Sequence, residues 1–124
     1  MNRKILFRGK RIDNGEWSFG DLLHSNTGKT YIVELVDDDS GRIIRVCHIE
    51  VDPTTVGEFT GLTDKNGTKI FEGDIVDYFS HSKAEIKYRN GSFMIWTKEM
   101  FDLLVNPQGD IEVIGNIHES EVGE

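Results

Sequence analysis

A chain of 124 residues holds one domain's worth of core, enough to bury roughly two thirds of the surface that its unfolded form exposes. Its 14 Lys and Arg against 22 Asp and Glu give a net charge of −8, a surface that repels a phosphate backbone unless its few cations cluster. The only cysteine, Cys47, excludes an internal disulfide, and no apolar run approaches the ~20 residues that a membrane span needs, so a soluble cytoplasmic protein is expected.

From the N-terminus, MNRKILFRGKR has too short an apolar stretch for a signal peptide. Its cations Arg3, Lys4, Arg8, Lys10 and Arg11 gather beside Phe7 and Trp17 as a candidate nucleic-acid stripe. The competing reading is a strand edge whose cations discourage aggregation. Asn14-Gly15 predicts a two-residue type I′ hairpin turn, because Asn-Gly meets the positive φ of both central positions cheaply. Pairing outward sets Ile12 against Trp17 and Lys10 against Phe19, and it also sets Asp13 against Glu16, an unfavourable match. Turn clusters at Asn26-Thr27-Gly28 and Asp39-Ser40-Gly41 bound the β-rich runs Thr30 to Val36 and Arg42 to Ile49. The acid run Asp37-Asp38-Asp39 reads as a solvated loop, and Val51 to Glu58 as a connector.

A second Asn-Gly pair, Asn66-Gly67, predicts the register Asp64–Lys69, Thr63–Ile70 and Leu62–Phe71. Glu72-Gly73-Asp74 predicts a sharp entry into the strand Asp74 to Phe79, with the carboxylates bonding loose backbone N–H groups or, alternatively, rimming an acidic pocket. The third pair, Asn90-Gly91, aligns Arg89–Ser92, Tyr88–Phe93, Lys87–Met94, Ile86–Ile95, Glu85–Trp96 and Ala84–Thr97. Ile86, Tyr88, Phe93 and Ile95 then share one face. Met94 and Trp96 lie on the other, to be covered by another part of the chain or by a partner. Lys98 to Val105 predicts the one short helical turn, and Ile111 to Ile117 a closing strand. The whole reads as a single all-β domain over 1–124: a twisted β-meander over 1–50 and a small barrel-like part over 59–120, packed together.

Reactive constellations are not found. A phosphate loop ending in Gly28-Lys29-Thr30 needs glycine at position 23, which is Leu23. A calcium loop with Gly67 at its bend needs oxygen ligands where Leu62 and Gly73 stand. His24, His48, His81 and His118 have no zinc-site spacing, and Cys47-His48 point to opposite faces of a strand. There is no Gly-x-Ser-x-Gly elbow, so neither a cofactor nor a catalytic residue is expected.

The segment TVGEFTGLTDKNGTKIFEGDIV closely resembles the signature of the YopX family of phage and prophage proteins. The match runs through Thr60, Gly61, Leu62, Asp64, Asn66, Gly67, Ile70, Glu72, Gly73, Asp74, Ile75 and Val76. FRGKRIDNGEWSFGDLL and EVIGNIHES resemble that family's opening and closing segments. The resemblance implies a phage-encoded, largely β protein whose C-terminal part is a small SH3-like barrel, and it brings no catalytic residues. The expected function is a non-enzymatic module that binds a host or phage macromolecule, such as a basic host protein. The alternatives are a nucleic-acid binder using the basic stripe and a small enzyme with a composite carboxylate site. Met94, Trp96 and Ile111 to Ile117 are candidates to complete a sheet in a second copy.

Overall fold

The computed structural model describes residues 4–78, 82–89, 91–96, 101–103 and 111–119. Strands β1 (Phe7–Lys10), β2 (Trp17–His24), β3 (Thr30–Asp37), β4 (Ile43–Val51), β5 (Gly57–Thr63) and β6 (Lys69–Phe71) come first. They are followed by β7 (Asp74–Tyr78), β8 (Ser82–Arg89), β9 (Ser92–Trp96), β10 (Phe101–Leu103) and β11 (Ile111–Asn116). The chain is all-β, and every strand pair is antiparallel. A 3₁₀ turn over Pro53–Thr55 is the one helical element among the described residues, started by Asp52, whose Oδ1 accepts from Thr54 N at 3.0 Å. Two compact units divide the chain, Met1–Glu58 and Phe59–Glu124.

In the first unit the strand order is β4-β3-β2-β1, and β1 also pairs with the start of β5 through Phe7↔Glu58 and Arg8↔Gly57. Facing partners on adjacent strands share a side of the sheet, so the register sorts the residues. Leu22, Ile32 and Ile49 lie in one row of the inner side, where Ser18, Thr30, Ile32 and Val51 are buried. The end of β4 returns to β1: Ile12 N donates to Glu50 O at 3.1 Å and Asp52 N donates to Lys10 O at 2.9 Å. Close approach of β2 and β3 requires Gly20, because a Cβ there would stand 2.1 Å from the Val33 carbonyl oxygen. Backbone cannot rotate away as a side chain does. Gly20→Ala is therefore expected to lower unfolding free energy by about 1–3 kcal/mol, read as a lower urea midpoint; an unchanged midpoint would refute the close approach.

In the second unit Phe59–Thr63 of β5 pairs with β6, and a five-stranded sheet runs β10-β9-β8-β7-β11. Ile70, Val76, Ala84, Ile86, Ile95 and Ile111 form its buried core, with Leu62, Phe93 and Val113 against it. The sheet is not closed into the expected barrel. Its two edge strands, β10 and β11, do not pair with each other among the described residues. The outer groups of β11 are taken instead by the hairpin before β6: Lys65 N donates to Ile111 O at 3.2 Å and Val113 N to an Asp64 carboxylate oxygen at 2.8 Å.

The Asn90-Gly91 register holds pair for pair from Arg89↔Ser92 to Glu85↔Trp96, with Gly91 at φ +80°; Asn90 and Thr97 lie outside the described residues. Met94 is buried along with Ile95, while Tyr88 is exposed and packs edge-on to Phe93. The helical turn expected within Lys98 to Val105 is corrected. Phe101–Leu103 is a strand paired with β9, and the rest of that segment lies outside the described residues. Eight residues sustain no helix by themselves, whereas the edge of β9 offers ladder partners.

The other two Asn-Gly registers are also corrected. Lys10 faces Trp17, not Phe19, and residues 12–15 form a wider loop in which Gly15 N donates to Arg11 O at 2.9 Å. The wider loop avoids setting Asp13 against Glu16 and gives Asp13 to Arg11 instead, with contacts of 2.9 and 2.8 Å. At Asn66-Gly67, Lys69 faces Thr63 and Asp64 folds into the turn itself. This is a three-residue loop: Gly67 N donates to Asp64 O at 3.0 Å and Asp64 N donates to Thr68 O at 2.8 Å. The same bonding recurs at Ser25 to Lys29 and Asp38 to Arg42. In each, a type I turn is followed by a glycine in the left-handed region, and a Ser or Asp at the first position accepts from backbone N–H groups beyond it.

Candidate functional site

The segment Thr60 to Val76 builds a corner. Between Phe59↔Phe71 and Thr63↔Lys69, β5 spends three residues where β6 spends one. Gly61 sits in this bulge, and the Thr60 hydroxyl restores a lost ladder bond by donating to Ile70 O at 2.9 Å. The next hairpin carries Asp64, which is 3 % exposed. One carboxylate oxygen accepts from Asn66 N and Thr68 N, each at 2.9 Å, and the other from Val113 N at 2.8 Å. At the tip, Lys65 Nζ stands 3.7 Å from one Glu112 oxygen and Asn66 Nδ2 3.4 Å from the other.

Glu72-Gly73 turns the chain from β6 into β7. Gly73 is buried at φ +93°, with its N–H on Ile86 O at 2.8 Å and its carbonyl accepting from Ile117 N at 2.9 Å. A side chain there would be strained by about 1–2 kcal/mol. Asp74, 1 % exposed, accepts from Phe71 N at 2.7 Å and so locks the turn. Glu72 is half-buried beside it. Farther along, a bulge between Val113 and Gly115 and the turn after Asn116, whose Oδ1 accepts from His118 N at 2.9 Å, shape the closing segment.

Burial by itself would raise the Asp64 carboxyl. The backbone donors of Val113, Thr68 and Asn66, aided by the charge of Lys65, outweigh it and hold the group below the ordinary carboxylate value. A carboxylate so held is a poor proton acceptor at neutral pH. Among the described residues no three His, Cys, Asp or Glu side chains are grouped to hold a metal ion.

The basic N-terminal residues do not line up as one open stripe. Arg8 is 7 % exposed, and its guanidinium carbon lies 4.6 Å from the centre of the Trp17 ring. Lys10 Nζ lies 5.6 Å from the same ring. Arg11 is engaged with Asp13, Lys4 is exposed, and Arg3 lies outside the described residues. Three of the cations thus make contacts within their own sheet and its loop.

A different surface is prominent, and it was not singled out from the sequence. On the outer side of β2-β3-β4, Leu35 directly faces Val46, while Phe19 and Leu23 alternate with Asp21 on the neighbouring strand. These four apolar residues are each about half exposed, between 46 % and 50 %. The β3–β4 end carries Ile43 and Ile44 into solvent as well. Strands that are apolar at both odd and even positions present two apolar sides, and Ile32-Val33, Leu35-Val36 and Ile43-Ile44 carry that signal.

The arrangement defines an all-β protein with a polar, hydrogen-bonded corner in one unit and an exposed apolar ribbon in the other. The chain belongs to the YopX family: the family model described as YopX protein matches residues 6–122. A solved structure, that of protein EF1440 from Enterococcus faecalis, is similar at 26 % identity with a TM-score of 0.55, covering 98 % of this chain and 99 % of that one. No curated protein is significantly similar to the chain. No helix among the described residues is long and apolar enough to cross a membrane.

Proposed function

We propose that this chain is a phage- or prophage-encoded, non-enzymatic binding module that acts on a protein inside the bacterial cell. The observation that carries the reading is the outer side of β2-β3-β4, where Phe19, Leu23, Leu35 and Val46 stand half exposed on a rigid ladder. Apolar residues grouped in this way on one sheet face mark a contact surface. Asp21, Glu50 and the Asp37 to Asp39 run flank them, and the whole chain carries −8, so the fitting partner has an apolar patch with a basic rim. The motif residues Thr60, Gly61, Asp64, Asn66, Gly67, Glu72, Gly73 and Asp74 belong, in this reading, to the architecture of the corner. The nucleic-acid reading is the weaker one, because Arg8 and Lys10 are spent on Trp17 and Arg11 on Asp13.

The test compares the native chain with a Leu35→Glu, Val46→Glu double variant as immobilised bait for bacterial lysate. A protein retained by the native chain and reduced at least tenfold by the variant is expected. Equal retention by both would refute the surface. Salt-dependent binding of single-stranded DNA by the native chain, with no protein retained, would turn the reading to the nucleic-acid alternative.

A further inference from the structure

Asn14-Gly15 and Asn66-Gly67 each place an asparagine amide beside a glycine N–H, and both asparagines are exposed. Glycine has no Cβ to hinder that nitrogen, so it can attack the neighbouring Asn Cγ. In an unfolded chain the two pairs react alike, because the local chemistry is the same. In the fold each glycine N–H is occupied: Gly15 N donates to Arg11 O at 2.9 Å and Gly67 N to Asp64 O at 3.0 Å. Attack therefore waits on opening of the loop, and the two loops differ in what opening breaks. Residues 12–16 are all exposed, and the bonds that hold Asn14 and Gly15 run to Glu16 and Arg11, inside the same loop. The Asn66 loop is tied to β11 as well. Opening it releases Asn66 N, Thr68 N and Val113 N from the buried Asp64 carboxylate, and Lys65 N from Ile111 O.

We infer that Asn14 is a site of spontaneous deamidation in the folded chain, and that the Asp64 clamp shields Asn66 from the same reaction. Gly15 N gives its proton to hydroxide and bonds to the Asn14 Cγ. The Cγ–Nδ2 bond breaks, ammonia leaves, and a five-membered succinimide remains. Water then opens the ring at either carbonyl, to aspartate or to isoaspartate. The oxygen on which charge gathers during the attack is Asn14 Oδ1, and Glu16 N already donates to it at 2.9 Å. At Asn66 it is the departing nitrogen that is engaged, with Nδ2 3.4 Å from a Glu112 oxygen. Each conversion at Asn14 adds one negative charge to a loop that already holds Asp13 and Glu16. The site is separate from the proposed protein-binding face, and neither reading depends on the other.

Peptide mass mapping of the chain held in warm, mildly alkaline buffer tests it, folded and unfolded in urea. In the folded native chain Asn14 is expected to convert at least tenfold faster than Asn66. In urea the two rates should agree within twofold, which ties the difference to the fold. Asp64→Ala is expected to speed Asn66 at least fivefold and to leave Asn14 unchanged; Asp64→Asn, the milder change, serves where Asp64→Ala does not fold. An Asn14 rate no faster than that of Asn66 in the folded native chain would overturn the proposal. So would a folded Asp64 variant in which Asn66 stays as slow as in the native chain.

Discussion

Asp64→Ala is expected to cost about 3 kcal/mol of unfolding free energy, since a buried N–H left without its acceptor costs about 1–3 kcal/mol and water reaches part of this corner. Three backbone donors lose their acceptor at once: Asn66 N, Thr68 N and Val113 N. The first two belong to the turn and the third to β11, so one truncation loosens a hairpin and the strand that it closes on. Asp64→Asn keeps an acceptor oxygen for one side but turns an NH₂ group towards a donor on the other, and is expected to fall between Ala and the native residue. The pH dependence separates charge from shape. The folded Asp64 carboxyl lies below its ordinary value, which is about 3.9 in an unfolded chain. Its ionic contribution is therefore complete above that value and is lost as pH falls through the lower, folded one. Urea unfolding of the native chain should lose stability from about pH 5 downward, and both Asp64 variants should lose less of it over the same window. Parallel pH profiles would show that the carboxylate charge is not part of the clamp.

Ile86→Ala is expected to cost about 2–5 kcal/mol, because it opens a cavity in a core that collapses only partly. Ile86 is fully buried, faces Ile95 across the hairpin and packs with Ile70, Val76 and Ile111. Its carbonyl also holds the Gly73 N–H at 2.8 Å, so the cavity lies beneath the corner itself. Ile44→Ala is the informative contrast. Ile44 is 57 % exposed at the end of the β3–β4 ribbon, and the same truncation there is expected to change stability by no more than about 0.5 kcal/mol. Thermal and urea unfolding of the two variants side by side make the comparison. An Ile44 cost approaching that of Ile86 would mean that the ribbon is packed, and the argument for an open contact surface would fail.

Legibility in the sequence followed the range of the interactions involved. At Asn90-Gly91 the turn and the cross-strand pairs agree, so local chemistry and apolar alternation lead to one register, and the strand pairs observed are those. At Asn66-Gly67 the deciding bonds come from the Asp64 side chain to N–H groups two and four residues on, and to Val113, which is 49 positions away. Counting outward from a turn sees none of these. At Asn14-Gly15 the warning was present, since Asp13 opposite Glu16 is repulsive, but the relief lay in the neighbouring Arg11. The segment Lys98 to Val105 reads as a helical turn because Met100, Leu103 and Leu104 fall at helical spacing in the sequence; for Phe101–Leu103 the edge of β9 decides otherwise. The basic residues looked like one stripe because they are close in sequence, yet strand alternation and the Trp17 ring draw Arg8 and Lys10 together, while Arg11, bridged to Val51, gives its side chain to Asp13 in the loop. The apolar outer side of β2-β3-β4 was legible as composition, but which residues share it needed the register.

The central proposal separates the two surfaces: the corner holds the fold, and the β2-β3-β4 side makes the contact. Affinity for the captured partner, measured with an Asn66→Ala, Glu72→Ala variant that alters both turns of the corner, tests that separation most directly. Binding within twofold of the native chain is predicted. A loss of tenfold or more, in a variant whose unfolding midpoint is unchanged, would place the contact on the corner and contradict the proposal.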